Sequence, residues 1–517
     1  MGKICELSDA LNLIKDGDAI GLSASGGGLL EPEFVLKGLE KKFLETGQPG
    51  NLTVVHTTGL GDRKEKGMNR FAHEGMVKRV VGAHWLWSPK LCQMAMDNKI
   101  EAYILPQGVI SRLYREIASG GPGLITHIGL GTFVDPDLSG GKINKNTTED
   151  LVQKIQIESK SYLFYKTKPI HIAIIRGSIA DEDGNVSFED EPAVLEVLAL
   201  AQAAKNSGGK VICQVKKLTT TGSLNPWNVI VPGIFTDAIV VDPEQIQTYE
   251  GEYNPYFTGR LKAPAEAIAP MPLSERKIIS RRAAMELRKG MTVNLGFGMP
   301  DGVSAILAEE NCDKNVTLTM EMGIVGGIPA QGDIFGAATN PVAIISQNSQ
   351  FDFYSGGGVD MAFLGFGQVD QYGNVNVSKV FQYYSGVGGF IDISQGSKKI
   401  IFCGTFMVRG LNVSVGEEGK LKIQHEGAVR KFVKKVDHVS FNGEIAWKSN
   451  KEVFYVTERA VFKLTKEGPM LVEIAPGVDL EKDVLSNMEF RPKISKDLKM
   501  MDNKIFKDQR MGLQVCG

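Results

Sequence analysis

The chain has 517 residues, 43% hydrophobic and 23% charged, an ordinary globular composition too long for one compact core. Its 58 Lys and Arg against 60 Asp and Glu give a net charge of −2, so neither nucleic acid nor an anionic membrane is expected as a partner. No apolar run approaches ~18 residues, and neither C-x-x-C nor H-E-x-x-H occurs, so neither a membrane span nor a metal site is expected.

The N-terminus, MGKICELSDA, carries acidic residues and no apolar core, which argues against a secretory signal. The six cysteines, Cys5, Cys92, Cys213, Cys312, Cys403 and Cys516, are scattered; a reducing, cytoplasmic setting is expected. Residues 8–17 predict a short helix with Ser8 as N-cap and Gly17 as stop. A strand over 19–23 and a triple glycine, Gly26 to Gly28, follow.

The same order recurs from Ser274. It caps a predicted helix containing Ile278, Ile279, Ala283 and Leu287, stopped by Gly290. Then come a strand over 292–295 and the loop Gly296-Phe297-Gly298-Met299-Pro300-Asp301-Gly302. Asp181-Glu182-Asp183-Gly184-Asn185 is echoed by Asp370-Gln371-Tyr372-Gly373-Asn374, and 210–213 by 399–402 at the same offset of 189. Asp-x-x-Gly-Asn is turn chemistry, so each copy alone signals only a hairpin. Together the echoes predict two homologous open α/β domains with mainly parallel sheets covered by helices. The expected division is 1–242, a linker over 243–273 with five prolines, and 274–517.

Ligands in such sheets bind beyond the carboxyl ends of strands, where the glycine loops fall. Gly296-x-Gly298-x-x-x-Gly302 misses the dinucleotide fingerprint by one residue, and no phosphate loop or nucleophile elbow occurs. Ser23 and Ser25 read as small polar residues of a turn. Glu321 ends a β-type run, 316–320, and opens a glycine-rich stretch. Two readings stay open from the residues: a catalytic carboxylate, or a solvated strand end. Further glycines cluster at 356–358 and 386–389; Lys398 and Lys399 fit either a phosphate contact or a solvated turn.

The segment TLTMEMGIVGGIP, 317–329, resembles the active-site segment of family I CoA-transferases, most nearly the single-chain acetate and propionate type. The resemblance extends along nearly the whole chain through 82–85, 106–108, 128–136, 350–354 and 474–479. It implies an α-subunit-like first half fused to a β-subunit-like second half that carries the catalytic glutamate. It also implies transfer of coenzyme A between a short-chain acyl-CoA and a free carboxylate, by ping-pong steps through a glutamyl-CoA thioester on Glu321. Gln107 would face the reacting carboxylate, and the Gly26–Gly28 loop, Gly27 and Gly28 above all, would supply oxyanion donors. Gly296, Phe297, Gly298, Met299 and Pro300 would contact CoA, with Gly388, Gly389 and Lys399 as further contacts. No tightly bound cofactor or metal is implied; CoA enters as substrate, and a homo-oligomer, dimer or tetramer, is expected. Met322 departs from the small residue usual after the nucleophile and bears on acyl-pocket size. An acyl-CoA thioester hydrolase on the same fold and a non-catalytic ligand-sensing module are the alternative functions.

Overall fold

The computed structural model describes residues 3–264, 270–416 and 418–515. Part of the expected linker (265–269), Cys516 and the first two residues of the N-terminus lie outside the described residues. Two compact units assemble from interleaved segments: Met1–Lys262, Glu321–Asp352 and Phe381–Asp392 form one, and Ala263–Met320, Phe353–Val380 and Ile393–Gly517 the other.

The first unit is built on a parallel sheet. Its strands run in the order Ala238–Val241, Lys210–Thr219, Ile172–Asp181, Ala19–Leu22, Leu52–His56, Val77–Gly82, Glu101–Ile104. Ile172–Asp181 is buried along almost its whole length, as a central strand covered on both faces must be. The helix Val197–Asn206 packs so closely on Ala19–Leu22 that a Cβ on Gly21 would lie 2.4 Å from Leu200 Cδ1. A separate antiparallel sheet of Gly123–Thr126, Lys160–Lys166 and Val152–Ile157 forms part of the longer insert of the first half.

The second unit repeats the plan. Thr317–Met320, Thr292–Leu295, Met361–Gly365, Lys399–Cys403 and Glu452–Val456 are parallel neighbours in that order. In both halves the strand before the glycine loop is flanked by parallel strands on both sides: Ala19–Leu22 by Leu52–His56 and Ile172–Asp181, and Thr292–Leu295 by Thr317–Met320 and Met361–Gly365. Ala460–Thr465 and Gly468–Ile474 extend the sheet antiparallel. Helices Glu275–Ala284 and Gly302–Glu309 cover it with a core that includes Ile278, Ile279, Val303, Ile306 and Phe363. Arg281, fully buried, holds the C-terminal segment through the carbonyls of Ile505 (3.3 Å) and Gln509 (2.9 Å) and pairs with Glu309 at 2.8 Å.

The duplicated turns are local chemistry in duplicate. Asn185 N–H and Nδ2 donate to the two oxygens of Asp181 (both 2.9 Å), and Asn374 does the same to Asp370 (both 3.0 Å). Gly184 (φ +83°) and Gly373 (φ +80°) supply the left-handed residue each turn needs. The Ser274 N-cap stands as expected, accepting from Lys277 N–H. The first helix differs: it spans Leu7–Leu11 with Glu6 as N-cap, so Ser8 lies inside it and caps nothing. Among the described residues no helix is long and apolar enough to cross a membrane.

Candidate active site

The triple glycine follows Ala19–Leu22 and is enclosed on three sides. A Cβ on Gly26 would meet the Trp87 indole at 2.6 Å, one on Gly27 the Asp333 carbonyl oxygen at 2.1 Å, and one on Gly28 the Tyr249 ring at 2.8 Å. Gly27 (φ +75°) and Gly28 (φ +86°) also hold conformations that L side chains resist. Arg176, 2% exposed, fixes the loop from beneath: Nη1 donates to the carbonyls of Gly28 and Glu31 (both 3.1 Å), while Nε and Nη2 engage Glu191 at 3.0 and 2.7 Å. Tyr249 N–H donates to the Gly27 carbonyl at 2.7 Å.

Glu31 completes this support, accepting from Gly61 N–H at 2.7 Å and from the Tyr249 hydroxyl at 2.6 Å. Burial pushes its carboxyl from an ordinary 4.5 up to about 8. A carboxyl raised in the folded state contributes stability that is full below its unfolded pKa and lost as pH rises through the folded one. Glu31→Gln mimics the protonated form, with Oε1 accepting from Gly61 and Nε2 donating to Tyr249. The expected result in urea unfolding is a variant that gains on the parent as pH rises from 4.5 towards about 8, by about 1.4 kcal/mol per pH unit, and no further gain above. A difference independent of pH would show that Glu31 does not titrate there.

Glu321 follows the strand Thr317–Met320 and is 9% exposed. Of the two readings open from sequence, the solvated strand end does not describe a carboxylate so buried. Two contacts within the first unit frame its turn. On one side Ile345 N–H donates to the Gly323 carbonyl at 2.8 Å, and a Cβ on Gly323 (φ +95°) would collide with Ile345 O at 2.0 Å. On the other, Met322 packs on Gly336, whose Cβ would meet Met322 Cε at 3.1 Å and Leu29 Cδ2 at 3.4 Å. One side therefore leads to Gln347, two residues beyond Ile345; the other leads to the glycine loop through Leu29 and Asp333.

Gln107 opens the helix Gln107–Ala118 and is 2% exposed. Its N–H donates to Gly388 O at 3.0 Å, and its Nε2 donates to Gln347 Oε1 at 3.0 Å. Gln347 Nε2 in turn donates to Glu196 Oε2 at 2.5 Å, and Thr57 Oγ1 to Glu196 Oε1 at 2.9 Å. Gly388 thus belongs with Gln107, held by its own N–H to Ala83 O at 3.0 Å, and Gly389 follows it, buried. Next in this helix, Gly108 N–H donates to the buried Asp392, whose carboxyl burial raises to about 7 despite Arg112 at 3.7 Å.

In the second unit, Gly296 N–H donates to Phe363 O at 2.8 Å, at the carboxyl end of the sheet. Phe297 is 47% exposed, and nothing lies within 4 Å of a Cβ on Gly298 (φ +88°), so this loop presents an open surface. Asp301 accepts from Gly298 N–H at 3.1 Å and is paired with Arg276, which fixes the turn through Met299 and Pro300. Lys399 does not join this loop. It begins its strand, at the amino end of the sheet, and its ammonium is neutralised by Glu286 (2.7 Å) and Glu452 (2.8 Å). That pairing sets Lys399 apart from the loop with which a CoA contact was expected; Lys398, 66% exposed at its side chain, pairs with Asp360.

Sequence reading missed Arg176, Glu191, Glu31, Tyr249, Glu196 and Gln347. Gln347 stood three residues before a segment already singled out, and Glu31 three residues after the triple glycine. The others carried no local signal, because their partners lie far away in sequence. Among the described residues, no group of three or more His, Cys, Asp or Glu is placed to hold a metal ion.

Comparison with known proteins adds to this geometry. The family model described as coenzyme A transferase matches residues 5–242. The chain is 44% identical over 514 residues to acetate CoA-transferase YdiF of Escherichia coli K12, covering 99% of this chain and 97% of that protein. It is 45% identical over 524 residues to caffeate CoA-transferase of Acetobacterium woodii, covering 100% and 99%. A crystal structure of the acyl-CoA transferase YdiF of E. coli O157:H7, as a thioester complex with CoA, superposes with a TM-score of 0.95 at 43% identity, over 99% of this chain and 97% of that one.

Proposed function

The chain belongs to the coenzyme A transferase family, and on that premise we propose that it moves CoA between short-chain acyl-CoA and free carboxylates, such as acetate, propionate or butyrate, through a glutamyl-CoA thioester on Glu321. The observation that carries this reading is the frame around Glu321, a buried carboxylate whose turn is tied to the Gln107 network on one side and to the Gly26–Gly28 loop on the other. In this reading the Glu321 carboxylate attacks the thioester carbonyl, the C–S bond breaks, and a mixed anhydride and CoA thiolate form. The thiolate then attacks the Glu321 carbonyl carbon, breaking the anhydride C–O bond, releasing the first acid and leaving the glutamyl thioester. The acceptor carboxylate reverses both steps.

Each step passes through a tetrahedral oxyanion. Backbone N–H groups of Gly27 and Gly28, held rigid by Arg176 and Tyr249, are suited to it because they need no reorganisation. The loop Gly296–Pro300, exposed at Phe297, is the proposed CoA contact in the second half, and its remote binding energy would serve the reacting carbon. We retain the division into halves 1–242 and 274–517 about the linker as a reading of the duplicated sequence plan, distinct from the interleaved compact units. A cytoplasmic homo-oligomer remains part of the proposal.

Two relatives of nearly the same identity, 44% and 45%, are named for acetate and for caffeate, so identity does not choose the acid. Met322 supports a short one: its bulk, 6% exposed, fills space beside Glu321 down to Gly336. In acyl exchange assayed with C2 to C6 acids and caffeate, the expected optimum is among C2 to C4, with no turnover when the acceptor acid is omitted. Thiol release at the same rate without acceptor would favour the hydrolase instead, and no turnover at all the sensing module.

A further inference from the structure

We infer that Glu196, acting through Gln347, is a positioning residue that decides which face of the Gln107 carboxamide is offered beside Gly388. The inference rests on the reading that Gln107 faces the reacting carboxyl group.

The geometry is a relay of two amides ending on a buried carboxyl. An ionised Glu196 accepts on both oxygens, from Thr57 Oγ1 (2.9 Å) and Gln347 Nε2 (2.5 Å). Gln347 must then turn its Oε1 to Gln107, and Gln107 must donate Nε2 to it at 3.0 Å. That leaves Gln107 Oε1, an acceptor, directed at Gly388. A Cβ built there would lie 3.4 Å from this oxygen, and nothing else is within 4 Å. One Nε2 hydrogen is engaged by Gln347, so the face offered is a poor one for a carboxylate.

Protonation of Glu196 reverses the relay. Its hydroxyl donates to Gln347 Oε1, Gln347 Nε2 donates to Gln107 Oε1, and Gln107 presents both Nε2 hydrogens beside Gly388. A carboxylate or oxyanion there accepts from them. The proton is added to one group, and only two amide flips follow.

The groups facing the Glu196 carboxyl are Thr57, Gln347, the hydroxyls of Ser23 and Ser111, and Tyr114, whose phenol is pushed up first by burial and then by the Glu196 charge. The ring of His56, beside Thr57 in the chain, is turned to Thr58 O at 2.6 Å. Burial raises Glu196 to about 7, within the working range of pH.

The test is kcat/KM for the acceptor acid against pH, for the parent, Glu196→Gln, Gln347→Met and Gln107→Ala. The parent is expected to lose about tenfold through an ionisation near neutrality, on the order of one hydrogen bond's net contribution. Glu196→Gln and Gln347→Met should both show a profile flat through that range, whereas a merely structural role would lower the curve without removing the ionisation. If the ionisation is missing from the parent or persists in either variant while Gln107→Ala is slow, Glu196 is not the positioning residue and the role of Gln107 stands. If Gln107→Ala leaves kcat/KM unchanged for two different acids, the reading of Gln107 fails and this inference with it.

Discussion

Glu321→Ala is expected to lower carboxylate-dependent CoA transfer by on the order of 10⁶, the size of effect seen when a covalent nucleophile is removed. The fold should survive, since the backbone pair Gly323–Ile345 and the packing of Met322 on Gly336 hold the turn around Glu321. Intact mass spectrometry separates chemistry from binding. Incubated with acyl-CoA and no acceptor, the parent should gain CoA covalently on a peptide containing Glu321, and the alanine variant should gain nothing. Transfer within about tenfold of the parent would remove Glu321 from the mechanism. Glu321→Asp draws the carboxylate back by about 1.5 Å, out of the ~3–3.5 Å needed for attack, and opens room for one water. That variant should hydrolyse acyl-CoA slowly without an acceptor acid; thiol release no faster than from Glu321→Ala would mean that no water enters or that Glu321 is not where the acyl group reacts.

Gly27→Ala should cost about 10²–10³ in kcat, the usual size for a displaced oxyanion donor. Its Cβ would stand 2.1 Å from the Asp333 carbonyl oxygen and 2.8 Å from its carbon, so backbone must move, and φ +75° adds strain. Gly47→Ala is the control. It carries a similar φ of +72° with nothing within 4 Å, so it should cost about 1–2 kcal/mol of stability and leave kcat unchanged. The atoms nearest a Cβ on Gly26 belong to the Trp87 ring, a side chain that can shift, so Gly26→Ala should fall between the two. Equal kcat for Gly27→Ala and Gly47→Ala, at saturating substrates, would take the loop out of catalysis.

Features that depend on neighbouring residues were legible in the chain. The Asp-x-x-Gly-Asn turns, the Ser274 cap and the strand–glycine loop order close on themselves within a few residues, so their chemistry is written locally. The duplicated strand order follows, because two halves with the same local punctuation bury the same faces. The Ser8 cap was misread because Glu6 takes the extended cap conformation two residues earlier, and a serine inside a first turn carries the same letters as one that caps it.

What identified Glu321 was its place at the end of a β-run and a resemblance along the chain; neither said that it is buried or what frames its turn. The tertiary structure decided those matters, and with them the fates of two charged groups that look alike in sequence. Lys399 appears as a cation next to a glycine cluster, yet Glu286 and Glu452, 113 and 53 positions away, neutralise it at the far end of its strand. Arg176 appears as one polar residue in an apolar run, yet it carries the glycine loop, 148 positions away. Composition and spacing determined the fold class and the duplication, and the resemblance of whole segments pointed to the family. Which polar groups meet was set by parallel pairing of distant strands, since a buried charge or amide must find its partners wherever the sheet brings them.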